Sequence, residues 1–193
     1  VTTKEDGSLG ILFRLDGGFH IATRGTFTSP MALWATDYLE ENFNLTHLPP
    51  WITLLFEIIA PQFRVVVDYE QEEDLVLIGA RSMVTGTDYF HSAFVDIAKQ
   101  FRIRTVETWT WRQPEMVLDK AKALDSQHEG WVMRFADGQR LKVKGDAYKT
   151  LARAIAGVSE KHTLEALISE TYTTYLERLP DDIRGDVEEW AEK

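Results

Sequence analysis

Twice in this chain a pair of short apolar runs flanks an Asp-Gly turn, and that punctuation constrains the fold more than any other feature. Ser8 to Leu15 and Phe19 to Arg24 stand on either side of Asp16-Gly17-Gly18. Trp131 to Phe135 and Arg140 to Lys144 stand around Asp137-Gly138. Each arrangement predicts a β-hairpin, because the tight turns that match strand twist need residues tolerant of left-handed backbone. The expected fold class is therefore α+β, with antiparallel strands joined by hairpins.

The remaining segments follow from spacing. Ser29-Pro30 sets up a helix start, with Ser as cap and Pro in the first turn. Leu33, Ala35, Leu39 and Phe43 continue it at helical spacing. Pro49-Pro50 breaks the chain, and Ile52 to Ile59, Arg64 to Asp68 and Leu75 to Ala80 read as strands. Helices are expected over Asp88 to Phe101 and from Pro114 to Leu124, and a short one through Tyr148 ends at Gly157. Two more are expected over Thr163 to Leu176 and Pro180 to Trp190, with Asp181 and Asp182 suited to the helix dipole. The organisation is a strand-rich body over residues 1–144 and a helical segment over residues 145–193, in a length of 193 residues that suits one domain with an appendage.

Composition excludes several chemistries. The chain has no cysteine, so disulfides, thiolate catalysis and Cys-ligated metals are ruled out. That suits a reducing compartment, and a cytoplasmic location is expected. No apolar run approaches the ~20 residues of a membrane span. The five histidines lack zinc-ligand spacing, and His128 reads as a surface residue or as support for Glu129. The net charge of −10 disfavours general nucleic-acid binding. It is unevenly spread: residues 160–193 hold ten acids and four bases, a net of −6. Residues 134–153 are instead locally basic, which alone would describe a solvated face.

Four short blocks could carry chemistry. Lys4-Glu5-Asp6-Gly7 places a lysine and two acids ahead of a strand. Glu57 interrupts the apolar run Leu54 to Ile59; it is either paired and buried or turned to solvent by alternation. Glu129-Gly130 stands at the mouth of the strand Trp131-Val132-Met133-Arg134. Lys142 and Lys144, two apart on a strand, point to one face. Two convergent ammonium groups want an anion, phosphate above all, although lysines also blunt solvent-facing sheet edges.

In this order the blocks resemble those of the T4 RNA ligase 1-like family of covalent nucleotidyltransferases. The opening Lys4 to Leu9 resembles that family's KEDGSL. Arg24-Gly25-Thr26, Leu55 to Tyr69, Glu129 to Val132 and Lys142-Val143-Lys144 are similar to its later blocks, and the likeness continues to Gly157-Val158-Ser159. The resemblance implies an antiparallel-sheet nucleotidyltransferase core, ATP-grasp-like, with C-terminal helices. It implies an ATP-dependent RNA ligase using Mg²⁺ or Mn²⁺ and acting on RNA 5′-phosphate and 3′-hydroxyl ends.

The resemblance also implies roles. Lys4 would attack the α-phosphate of ATP, form lysyl-AMP and pass AMP to the RNA. Lys142 and Lys144 would activate Lys4, since nearby cations disfavour its charged form, and would steady the phosphate. Arg24 would stand near the phosphates, and Glu57 would contact the ribose. Glu129 would serve the metal through waters, as Mg²⁺ keeps several. Glu5, Asp6, Gly7 and Tyr148 would line the nucleotide site, with Gly7 letting backbone approach the ligand. Val132 and Met133 suit either the adenine floor or core packing. Family members carry a substantial segment before the nucleophile that helps to bind ATP, whereas Val1-Thr2-Thr3 alone precede Lys4, so a trimmed or separate upstream segment is expected. The competing expectation is a catalytically incomplete accessory module that binds RNA or protein.

Overall fold

In the computed structural model, which describes residues 1–179 and 181–192, both hairpins form. Pro180 lies outside the described residues, as do Lys193 and the side chains of Asp181 and Asp182. The first hairpin joins β2 (Ser8–Leu15) to β3 (Gly18–Ala22) through Asp16 and Gly17, whose φ values of 50° and 83° are the left-handed pair a primed turn requires. β2 also pairs with β4 (Ile52–Ile59), and β4 with β5 (Asp74–Ser82), giving an antiparallel sheet in the order β3-β2-β4-β5. Along β4 the pleat sends Leu54, Phe56 and Ile58 into the main core and Leu55 and Glu57 to the other face. The core is closed by α1 (Pro30–Asn42) and α2 (His91–Phe101) through Ala35, Leu39, Phe94 and Ala98. Ser29 caps α1 as expected, accepting from the Ala32 N–H at 3.2 Å.

The second hairpin, β6 (Gly130–Arg134) and β7 (Arg140–Lys144), belongs to a smaller antiparallel sheet with order β1-β6-β7. Its third member, β1 (Thr2–Lys4), is absent from the strand assignments made from sequence. α3 (Pro114–Lys122) covers one face, where Trp131, Met133 and Val143 pack on Val117 and Ala121. Residues 104–109 tie the sheets together. The Leu77 N–H of β5 donates to the Arg104 carbonyl at 2.8 Å, and the Thr3 N–H of β1 donates to the Glu107 carbonyl at 3.0 Å.

α4 (Asp146–Ile155), α5 (Glu160–Ile168), α6 (Tyr172–Arg178) and α7 (Asp181–Ala191) follow. Of these, α4 and α7, with Leu179 just after α6, pack on Val66 and Val67 through Tyr148, Ala152, Leu179 and Val187.

Two expectations are corrected. Thr163 to Leu176 is two helices rather than one. Ser169 turns its hydroxyl back to the Glu165 carbonyl at 2.8 Å, and Glu170 takes a left-handed φ of 58° that ends α5. Arg64 to Asp68 is not a strand but an irregular segment after a 3₁₀ turn at Pro61–Phe63. Its amides are engaged elsewhere: the N–H groups of Val66 and Val67 both donate to the Asp6 carboxylate, so they join no ladder. Among the described residues, no helix is long and apolar enough to cross a membrane.

Candidate active site

The sheet register builds the centre of the site. Lys4 ends β1 opposite Gly130, and Gly130 lies opposite Lys144 on β7. Three neighbouring strands thus bring two lysines to either side of one glycine. The residue before that glycine, Glu129, is 3% exposed, and its carboxylate serves both cations. Lys4 Nζ donates to Oε2 at 2.7 Å, and Lys144 Nζ lies 2.8 Å from Oε1. Gly130 is indispensable here: its φ is +147°, and a Cβ would lie 2.9 Å from Lys144 Cα and against the Val143 carbonyl.

The loop after Lys4 is anchored at every residue. The Asp6 side chain is 5% exposed. Its Oδ2 accepts from the Val66 and Val67 N–H groups at 2.8 and 2.6 Å, and its Oδ1 accepts from the Tyr148 hydroxyl at 2.7 Å. The Asp6 N–H donates to the Tyr69 hydroxyl at 2.8 Å, and that hydroxyl donates to Glu5 Oε2 at 3.1 Å. Burial raises the Glu5 carboxyl and the Tyr69 phenol above their ordinary pKa values, so the proton stays on the tyrosine. The Gly7 N–H donates to Glu57 Oε1 at 3.0 Å. A side chain at Gly7 would meet the Ile58 carbonyl and come within 3.0 Å of Glu57 Cγ, so it is the β4 backbone, not the ligand, that demands this glycine.

Glu57 faces the cavity, as the pleat of β4 requires, and not solvent. Burial pushes its pKa up to about 7, opposed by Lys4 and the Gly7 N–H and reinforced by Glu129. It is therefore poised to change charge near neutrality.

A single cavity of about 1600 Å³ between the two sheets is lined by every site residue singled out from sequence: Lys4, Glu5, Asp6, Gly7, Arg24, Glu57, Glu129, Lys142, Lys144 and Tyr148. Not all present their polar groups to it. Asp6 and Tyr148 hold each other, leaving the Tyr148 ring 5.2 Å from the Lys144 ammonium. Glu5 is turned to Tyr69. Arg24 is exposed in the turn before α1, and Lys142 is exposed on β7. The ambiguity at Val132 and Met133 resolves by alternation: Val132 lines the cavity and Met133 is buried against α3. His128 is a surface residue, 2.7 Å from Asp125.

Two features were not foreseen. Lys4 is held by an anion, Glu129, at 2.7 Å, whereas the sequence led us to expect cations around it. Tyr69 organises the loop, yet nothing in its spacing marks it as an acceptor for the Asp6 amide. For a divalent cation the fit is limited. Among the described residues no group of three His, Cys, Asp or Glu converges, and both Glu129 oxygens already hold lysines. Such an ion would take most of its oxygens from phosphate and water, with Glu129 as its protein partner.

Two sheets flanking a cavity with a lysine at its centre is the nucleotidyltransferase fold of RNA ligases. It is seen in a lysine-to-alanine variant of an RNA ligase from Naegleria gruberi with ATP and Mn, at TM-score 0.63 and 19% identity over 79% of this chain and 50% of that one. A second structure of that ligase, with AMP and Mn, matches at TM-score 0.60 and 19% identity over 76% and 49%. A third, with pyrophosphate, matches at 0.58 and 18% over 77% and 50%. The chain spans about half the length of these solved ligases. The model of the family described as RNA ligase, the T4 RNA ligase 1 type, matches residues 1–148, and the chain belongs to that family.

Proposed function

We propose that this chain is the adenylation core of an ATP-dependent RNA ligase, with Lys4 as nucleophile. One observation carries the reading. Lys4 ends a strand inside a cavity large enough for a nucleotide, and its amine is fixed at 2.7 Å by a buried carboxylate shared with a second lysine. Lys4 Nζ would form a bond to the α-phosphorus of ATP as the bond to the leaving pyrophosphate breaks. AMP would then pass to an RNA 5′-phosphate, and a 3′-hydroxyl would displace it. Lys142, Lys144 and Arg24 would meet the phosphates, Glu57 the ribose hydroxyls, and the Tyr148 ring the nucleotide. A bound Mg²⁺ or Mn²⁺ would neutralise phosphate charge beside Glu129.

The Lys4–Glu129 pair gives the proton a route. An ammonium does not attack phosphorus, and Glu129 is the acceptor at hydrogen-bond distance. Phosphate oxygens arriving at Lys144 would compete with Glu129 for that cation and leave the carboxylate to Lys4. Residues 1–144 would form the core, and residues 145–193 a helical segment that reaches back through Tyr148.

The test is intact mass after incubation with ATP and Mg²⁺ or Mn²⁺. A gain of one AMP in the parent, absent in Lys4→Ala, is the expected result. An equal gain in both would place the nucleophile elsewhere. No gain in either, with RNA still bound, would favour the accessory-module reading.

A further inference from the structure

The register of β6 and β7 sets Arg134 directly opposite Arg140. Like charges facing each other across a ladder are destabilising, so this pair calls for an explanation. It is the outer end of a row. Arg140, Lys142 and Lys144 follow at two-residue intervals on the cavity face of β7. From Lys144, beside Lys4, the row extends about 13 Å to Arg140 at ~3.3 Å per residue. Compensating charge is thin. Arg140 lies 2.7 Å from Asp88, and Arg81 lies 3.6 Å from the same carboxylate. Arg134 donates to the Tyr89 carbonyl at 2.7 Å, which satisfies a hydrogen bond but not the charge. In a chain of net charge −10, this is a local cationic track leading out of the cavity.

An aromatic ring marks where the track emerges. Phe90 is 75% exposed, lines the cavity and lies 5.7 Å beneath the Arg134 guanidinium. Phe90 also occupies the cap position of α2, where it makes no side-chain capping bond, so helix formation does not account for it. Phe135, 40% exposed, also lines the cavity. A cavity of about 1600 Å³ exceeds the ~300–1000 Å³ of ordinary small-molecule sites, leaving room beyond a nucleotide. Cations tracking a backbone beside a bare ring is how single-stranded nucleic acid is held without sequence readout.

We propose that Arg134, Arg140 and Phe90 form the docking site for the 5′-phosphorylated end of single-stranded RNA, with phosphates on the arginine pair, the strand leading toward Lys142, and a base stacked on Phe90. The proposal rests on the ligase reading and adds the path by which the RNA reaches the adenylated lysine. A diphosphate leaving group would share the phosphate chemistry of the row, but it would leave Phe90 without a function.

The experiment compares the parent with Phe90→Ala, Phe90→Trp and Arg140→Ala in two assays. One is AMP adduct formation with ATP alone. The other is affinity for a short 5′-phosphorylated single-stranded RNA across a salt series. Phe90→Ala should weaken RNA binding on the order of tenfold, and Phe90→Trp should restore it. Arg140→Ala should weaken binding and lower the slope of log affinity against log salt by about 0.7, the share of one phosphate contact. Adduct formation should be unchanged in all three. RNA affinity equal to the parent's in Phe90→Ala and Arg140→Ala would overturn the proposal. So would a loss of adduct formation in Arg140→Ala, which would assign the row to ATP. A parent that forms the adduct yet binds no RNA overturns it too, whereas failure of the ligase reading shows separately, as no adduct in the parent.

Discussion

Asp6 sits in the block Lys4 to Gly7, and its geometry predicts a fastener whose loss is felt first in stability. Asp6→Ala removes three hydrogen bonds to a buried carboxylate: two from the Val66 and Val67 N–H groups and one from the Tyr148 hydroxyl. Val66 and Val67 are each 4% exposed, so water does not readily replace the lost acceptor. A buried donor left without a partner costs about 1–3 kcal/mol. Two such amides plus part of the phenol give about 4–5 kcal/mol once non-additivity is allowed. Against a typical total of ~5–15 kcal/mol, that is a large fraction. In a chain of this size the melting temperature should fall by roughly 8–20 °C. Tyr148→Phe deletes one donor and leaves both amides satisfied, so it should cost only about 1–2 kcal/mol. Urea unfolding of both single variants and the double closes a cycle, with Asp6 and Tyr148 coupled by about 0.5–3 kcal/mol. An Asp6→Ala midpoint within 1 kcal/mol of the parent would refute the reasoning. It would mean that the 64–68 segment is not held by this carboxylate.

Two further outcomes follow from the same geometry. Gly130→Ala forces a Cβ onto a backbone at φ +147° and into β7, so it should cost about 2–4 kcal/mol and slow adduct formation by parting Lys4 from Lys144; Gly25→Ala, with open space around it, should change neither melting temperature nor adduct rate. Glu57 carries a pH signature whose sign is set by its raised pKa. Between the unfolded value of 4.5 and the folded value of about 7 the native state binds the extra proton, so stability falls as pH rises through that window and levels off above it. The full span is about 3 kcal/mol at 1.36 kcal/mol per pKa unit. Glu57→Gln should flatten this dependence, gain stability at pH 8 and lose nucleotide affinity; urea midpoints at pH 5 and 8 that shift in parallel for parent and variant would count against it.

What was legible in the sequence was what local chemistry determines. Asp-Gly turns, the Ser29 cap and the run Ile52 to Ile59 carry their signals within a few residues, and each forms where expected. The split of Thr163 to Leu176 is local, at Ser169 and Glu170, but the other misread segments are governed from a distance. Arg64 to Asp68 has the apolar content of a strand, but Asp6, some 60 positions away, captures its amides. β1 is a three-residue strand whose hydrogen bonds go to residues 107–109 and to β6, so no local pattern announces it. The candidate site divides in the same way. The order of its blocks picked out residues that share one cavity, yet the sequence could not say which groups face the ligand and which hold the loop. Asp6, Glu5 and Tyr148 look like ligand contacts in a motif, and in the fold their polar atoms are engaged with protein.

The arrangement around Glu129 follows from the cost of burying charge. One buried carboxylate with one lysine would be a neutral pair, and the desolvation of both would weigh against it. With two lysines the trio carries a net positive charge, and that surplus favours an anion in the cavity. The same carboxylate restricts the rotamers of Lys4 and Lys144, whose side chains are 14% and 13% exposed, so much of the entropy of positioning Lys4, the proposed nucleophile, is lost on folding. Glu57, with a pKa of about 7, tunes the surplus: protonated, it leaves the trio positive; ionised, it offsets that charge. Nucleotide occupancy should therefore lower the Glu57 pKa. A ribose that donates to it stabilises the ionised form, while phosphate placed near Lys144 raises it, and the hydrogen-bonded contact outweighs the more distant charge. The carboxyl resonance of Glu57, followed by NMR across pH with and without a non-hydrolysable ATP analogue, tests the balance. A titration midpoint that rises on binding would show that Glu57 does not meet the ribose.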